Sequence, residues 1–166
     1  MPKKKIKIVD KESKLDKIDC QIINLLQEDG RLSNTVIAKD LGIAEATVRS
    51  RVKRLIQEDY IKILAVGNPA KLGYKITGNI KIHLDIKKKD AVLRKLARMK
   101  EVVFMNLMTG SMDVDIDFMV KSLEELNDIL YNKIAKIDGI ISTETSLILD
   151  HVKENYAWGT AYDNEL

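Results

Sequence analysis

Residues 30–61 read GRLSNTVIAKDLGIAEATVRSRVKRLIQEDYI. Ser33 stands where a helix N-cap belongs, because its hydroxyl can accept one of the first unpaired backbone N–H groups. Val36, Ile37, Ala38 and Leu41 then supply a short apolar stripe, and Gly42 follows where a helix stops in a left-handed residue. From Ala44 to Gln57, Val48, Val52, Leu55 and Ile56 recur at the spacing of one helical face. The opposite face carries Thr47, Arg49, Ser50, Lys53 and Arg54. Two short helices joined by a tight turn, the second cationic and hydroxyl-bearing on its free side, predict a helix-turn-helix that reads duplex DNA, at about residues 34–53.

Upstream, Asp16 is an N-cap candidate, and Asp19 adds negative charge to the first turn of a helix that Gly30 ends. Leu15, Ile18, Ile22, Leu25 and Leu26 share the face expected to pack under the other two helices, which puts Cys20 on the exposed side. Residues 1–13, mostly Lys with Ile6 and Ile8, read as a basic tail or as a short edge strand. Downstream, the alternation of Ile61, Ile63 and Ala65 with Lys62 and Leu64 predicts a strand or wing. Residues 14–66 therefore predict a winged helix-turn-helix domain.

Asn68-Pro69-Ala70-Lys71-Leu72-Gly73 marks a linker over 67–75, since Pro removes a donor and Gly relaxes the backbone. Beyond it the period changes. Ile76 to Ile86 alternates as a half-buried strand, and Val92, Leu93, Leu96 and Met99 fall at helical spacing. Val102–Thr109 and Asp113–Val120 read as strands around a turn. Ser122 to Glu125 forms a capping box before a helix that Gly139 stops, and Ile140–Val152 is a last strand. The order β-α-β-β-α-β over 76–152 is a ferredoxin-like split unit, so the fold class is α+β. One sheet face is left bare, with Lys81, His83, Asp113, Asp115 and Asp117, and such a face usually meets a second copy. Residues 153–166 form a C-terminal tail whose Tyr156, Trp158 and Tyr162 suit docking, though plain disorder is the equal alternative.

Composition bounds the rest. No run is long enough to span a bilayer and the N-terminus lacks the apolar core of a signal peptide, so a cytoplasmic protein is expected. One cysteine excludes an internal disulfide and a Cys-built zinc site. Residues 1–66 hold 14 Lys+Arg against 10 Asp+Glu, whereas 67–166 hold 14 against 15. The basic excess thus lies with the helix-turn-helix, as phosphate binding requires.

LDKIDCQIINLLQEDGRLS, IAKDLGIAEATVRSRVKRLIQEDYI, Pro-x-x-Leu-Gly at 69–73 and Thr-Gly-x-x-Asp at 109–113, taken together, resemble the Lrp/AsnC family of transcriptional regulators over roughly residues 14–152. The resemblance implies an N-terminal DNA-binding domain and a C-terminal effector-binding and oligomerisation domain, often called RAM. It implies homodimers that assemble into tetramers or octamers, and a free amino acid bound near the dimer interface. By motif, Thr109, Gly110, Ser111 and Asp113 fall on the effector loop, with Thr143 and Thr145 on the last strand as further candidates. Where the family loop often has an aromatic, this chain has Met112.

Arginine can bind guanine O6 and N7 bidentately, and Thr47 and Ser50 can take a base edge or a phosphate; Arg51 suits a phosphate. A solvated helix face in a protein-docking module is the plain alternative. Asp113, Asp115 and Asp117 share a sheet face, but an oxygen-only metal site needs more ligands from a loop, so no metal is expected. Asp113 could hold an effector's ammonium group, while Asp115 and Asp117 pair with Lys81 or His83 on the neighbouring strand, at this or the dimer contact. His83 and His151 stand alone, and no nucleophile elbow, phosphate loop or H-E-x-x-H occurs, so neither a cofactor nor an enzyme is expected. The rival readings are a small-molecule sensor or enzyme with a protein-docking module, and a weakly specific DNA compactor.

Overall fold

The computed structural model describes residues 15–162, so the expected basic tail at 1–13 lies outside the described residues. The described residues divide into two units: 15–65 with 153–162, and 66–152.

The first unit holds α1 (Lys17–Glu28), α2 (Asn34–Leu41) and α3 (Glu45–Gln57). Asp16 caps α1 in a full capping box: its carboxylate accepts from Asp19 N–H (2.9 Å), and Asp19 Oδ2 accepts from Asp16 N–H (3.2 Å). The helix stops at Glu28 with extended Asp29 as its cap, one residue before Gly30. Ser33 Oγ caps α2 by accepting from Val36 N–H, and Gly42 ends it at φ 66°. Ile22, Ile23, Ile37, Ala38, Val48 and Leu55 form the core. Contrary to expectation, Cys20 is buried at 3% exposure. It shares a helical face with Ile23 and Gln27, and that face is covered as well as the one through Ile22. Of the expected strand or wing at 61–65, no strand forms: these residues have no ladder partner among the described residues, and a strand exists only through its pairing.

The second unit holds β1 (Ile76–Leu84), a 3₁₀ turn (Ile86–Lys88), α4 (Lys89–Leu96), β2 (Val102–Leu107), β3 (Val114–Val120), α5 (Leu123–Asn127) and β4 (Ile140–Leu147). The sheet order is β2-β3-β1-β4, with every pairing antiparallel. Ile80, Ile82, Leu84, Val114, Ile116, Phe118 and Val120 point inward against Val92, Leu96, Leu126, Ile129 and Ile134. The strict two-residue alternation of β1 and β3 makes this inner face. Ser122 Oγ caps α5, but the Glu125 carboxylate accepts from Lys121 N–H instead of closing the box on Ser122. The helical run widens into a π-helix at Asp128–Ile134. That wider turn brings i and i+5 together, so Lys133 meets Asp128 (3.2 Å) while also holding buried Glu101 (2.8 Å). Burial alone would raise the Glu101 carboxyl, but the Lys133 hydrogen bond brings it below its ordinary value. The last strand ends at Leu147, five residues short of the expected Val152.

Gly78 in β1 is required by close approach. A Cβ there would lie 2.2 Å from the Ser146 carbonyl oxygen and 2.9 Å from Phe118 Cζ. The first obstacle is backbone and cannot swing away, so β1 and β4 would have to part. Gly78→Ala is expected to destabilise the protein by about 1–3 kcal/mol, measured by chemical denaturation. An unchanged midpoint would contradict this packing.

Candidate nucleic-acid interface

The outer face of α3 is built by its own spacing. Val48 and Leu55 are buried, which turns Thr47, Arg49, Ser50 and Lys53 outward. Among the described residues Lys53 has no ion-pair partner. Arg49 pairs with Glu45 one turn back, and Glu45 also accepts from the Thr35 hydroxyl (2.9 Å). The Thr35 and then the Arg49 hydrogen bonds hold the Glu45 carboxyl below its ordinary range. An exposed pair of this kind contributes little to stability, so a phosphate can displace it.

Arg51 and Arg54 are placed differently. Arg51 Nη1 donates to both oxygens of Asp16 (2.7 and 2.6 Å) and to Asp19 Oδ1 (2.9 Å). Arg54 Nη2 donates to Asp19 Oδ2. Asp19 is 1% exposed, while the arginines remain about one-third exposed at 28% and 35%. These contacts clamp the side of α3 to the first turn of α1, and they line a shallow depression with Ala46, Thr47 and Ser50. Partial burial would raise the Asp16 carboxyl, but hydrogen bonds from Arg51 and from Asp19 N–H bring it below its ordinary value. Sequence reasoning placed Arg51 and Arg54 among the DNA contacts and missed their partners. The available signal was the i, i+3 spacing of Asp16 and Asp19, which presents two carboxylates on one turn.

The expected effector residues do not all come together. Thr109, Gly110 and Ser111 are exposed in the β2–β3 hairpin. Asp113 ties that hairpin to β1: its N–H donates to Ile82 O (2.9 Å), and its Oδ2 accepts from Leu84 N–H (2.9 Å) and meets His83 Nδ1 (2.8 Å). The Leu84 N–H and then the His83 hydrogen bond hold the Asp113 carboxyl below its ordinary value. Thr143 and Thr145 lie opposite Ile82 and Ile80 in the register, on the helix-covered side of the sheet at its edge. The β4 residue opposite His83 is Ser142.

Lys81 stands opposite Asp115 in the register, yet no ion pair joins them among the described residues, and His83 goes to Asp113 instead. Asp115 Oδ1 and Asn79 Oδ1 are buried without a hydrogen-bond partner among the described residues. Burial, and then the Asp115 charge, push the Asp117 carboxyl up. Among the described residues no group of His, Cys, Asp and Glu could hold a metal ion, and no helix is long and apolar enough to cross a membrane.

A three-helix reading head followed by an open antiparallel sheet with helices on one side defines a helix-turn-helix regulator with an appended ligand-binding domain. An AsnC-type helix-turn-helix domain matches residues 15–56, and an Lrp/AsnC ligand-binding domain matches residues 77–158. An HTH-type transcriptional regulator of Pyrococcus horikoshii is 43% identical over 144 residues, covering 86% of this chain and 91% of that protein. The HTH-type transcriptional regulator FL11 of Pyrococcus furiosus is 38% identical over 141 residues, covering 84% and 93%. The structure of E. coli AsnC superposes with a TM-score of 0.79 at 31% identity, covering 85% of this chain and 96% of that one. A Neisseria meningitidis transcriptional regulator solved with L-methionine shares the fold, with a TM-score of 0.82 at 18% identity over 92% of this chain and 99% of that one. The chain belongs to the Lrp/AsnC family of transcriptional regulators.

Asp19→Asn removes the charge between the two arginines and is expected to cost about 1–3 kcal/mol in thermal melts. The folded Asp16 pKa is depressed, so its stabilisation is complete above the unfolded value of ~3.9 and is lost as pH falls through the lower folded value. Arg51→Ala should therefore lower stability at neutral pH and flatten the acid dependence below about pH 4. Parallel melting curves for the variant and the wild type across that range would contradict the clamp.

Proposed function

We propose that α3 reads a DNA operator through Thr47, Arg49, Ser50 and Lys53, while Arg51 and Arg54 hold the helix in place. The observation that carries this division is the occupancy of the two latter guanidiniums by Asp16 and Asp19. Arg49 and Lys53 retain the freedom to meet phosphates or a guanine edge. In a homodimer, two such helices enter successive major grooves about 34 Å apart.

The dimer forms through the bare sheet face, and dimers assemble further into tetramers or octamers. The orphaned oxygens of Asn79 and Asp115 support this, since buried polar atoms without partners call for donors from another surface. The effector is a free amino acid, the class of ligand carried by the Neisseria regulator of the same fold. Asp113 Oδ1, which makes no hydrogen bond among the described residues, is the acceptor offered to the ammonium group, beside Thr109, Gly110 and Ser111. Thr143 and Thr145, on the sheet's other side, are supported less well by the register than Ser142. The ligand acts by binding one assembly or DNA-bound state more tightly than another. The protein works in the cytoplasm.

Gel shifts or anisotropy titrations with duplex selected by the wild-type protein test the reading face. Arg49→Ala and Lys53→Ala should each weaken binding, and each lost phosphate contact should reduce the salt slope by about 0.9. Unchanged affinity in both would overturn the assignment of α3 as the reader.

Thermal-shift screening of the twenty amino acids tests the effector. A ligand at a hundredfold its Kd should raise Tm by roughly 5 °C, and Asp113→Asn should abolish the rise. A rise that survives Asp113→Asn would place the ligand elsewhere.

A further inference from the structure

Residues 153–162 belong with α1–α3, although they follow the sheet unit in the chain. The polypeptide therefore passes between its two units twice, once near residue 66 and once near residue 152. The second passage ends in a specific contact. Gln27, in the last turn of α1, donates through Nε2 to the Gly159 carbonyl (3.2 Å). Its Oε1 accepts from Gly159 N–H (2.8 Å). Both bonds are partly buried. A carboxamide carries a donor and an acceptor side by side, so Gln27 engages this stretch of main chain much as a neighbouring strand would. Just upstream, Asn155 Oδ1 accepts from Ala157 N–H (3.0 Å), a local bond that shapes the tail for this contact.

Among the described residues the tail adds no member to the buried core cluster of the reading head, which α1–α3 build among themselves. Its contribution is to the head's freedom. A head held by one linker samples a broad volume, and a second anchored segment narrows that volume at once. For a protein that engages two half-sites, the second engagement depends on the effective concentration of the free head at its site. A narrow distribution raises that concentration at one spacing and lowers it at others.

We propose that the Gln27–Gly159 clasp is a second tether on the reading head, and that Gln27 is a positioning residue which restricts the half-site spacing an assembly accepts. This rests on the DNA-reading function proposed above. The clasp does not touch DNA and acts only through the placement of α3.

The test uses the full chain, Gln27→Ala, Gln27→Glu and a chain ended at Val152. Gln27→Glu keeps the acceptor and loses the donor. The first arm needs no DNA. Trp158 is the single tryptophan and neighbours Gly159, so its fluorescence anisotropy decay reports the tail. Gln27→Ala should add a fast component with Tm unchanged, and Gln27→Glu should fall between it and the wild type. An unchanged decay in Gln27→Ala overturns the clasp.

The second arm uses duplex selected by the wild-type protein from a random pool, then lengthened between half-sites by about 5 or about 10 base pairs, half a turn and a whole turn. The wild type should lose roughly tenfold or more on the half-turn insertion, and Gln27→Ala and the shortened chain only about threefold, with equal affinity for an isolated half-site. Equal penalties in all of these proteins overturn the proposal. If the wild type prefers no duplex, the DNA-reading function fails, and the clasp is then decided by the Trp158 arm.

Discussion

The reading head depends on one knot of charge: Asp16 and Asp19 on α1 against Arg51 and Arg54 on α3. Among the described residues its apolar core is a cluster of six buried side chains with partly buried ones such as Ile18, Leu25 and Val52 packed against it. Two guanidiniums bound to a turn whose own backbone is locked by a capping box add directional contacts that apolar packing does not supply. A carboxylate at 1% exposure would be costly without partners. With two arginines and a backbone N–H it becomes a fixed point instead. The same two carboxylates start α1, so helix initiation and helix–helix orientation rest on one turn of chain.

This arrangement divides α3 into a held side and an offered side. Arg51 and Arg54 are spent on intramolecular bonds, whereas Arg49 has only a weak, exposed partner and Lys53 has none among the described residues. Counting cations along the helix would treat all four alike. In the sheet unit, a single carboxylate likewise serves two purposes. Asp113 secures the hairpin to β1 through Oδ2 and leaves Oδ1 available at the loop, so a ligand there would act on a group that already bridges two strands.

The elements with strong internal periodicity were legible from sequence: α2 with Ser33 and Gly42 at its ends, α3, and the alternating strands β1 and β3. What escaped was whatever depends on a partner distant in the chain. Arg54 and Asp19 are 35 residues apart, and spacing rules do not reach that far. Cys20 was assigned to solvent because its own helix has a better apolar face, yet burial is decided by what lies over it. Val36 and Ile56 fit apolar stripes and are nonetheless about half exposed, at 51% and 44%. Residues 61–65 have strand character but no strand to pair with among the described residues. The π-helical widening at Asp128 was invisible for the same reason, and the tail's aromatic residues suggested docking without pointing to Gln27 as its seat: each is settled by contacts, not by pattern.

The most direct measurement is a double-mutant cycle between Asp19 and Arg54, read in affinity for the operator duplex and in its salt slope. If Arg54 acts through Asp19, Arg54→Ala and Asp19→Asn are strongly non-additive. The double variant then binds no worse than the weaker single variant, and Arg54→Ala leaves the salt slope unchanged. Additive losses, with the slope falling by about 0.9 on removal of Arg54, would make it a phosphate contact and contradict the division of α3 into a held side and a reading side.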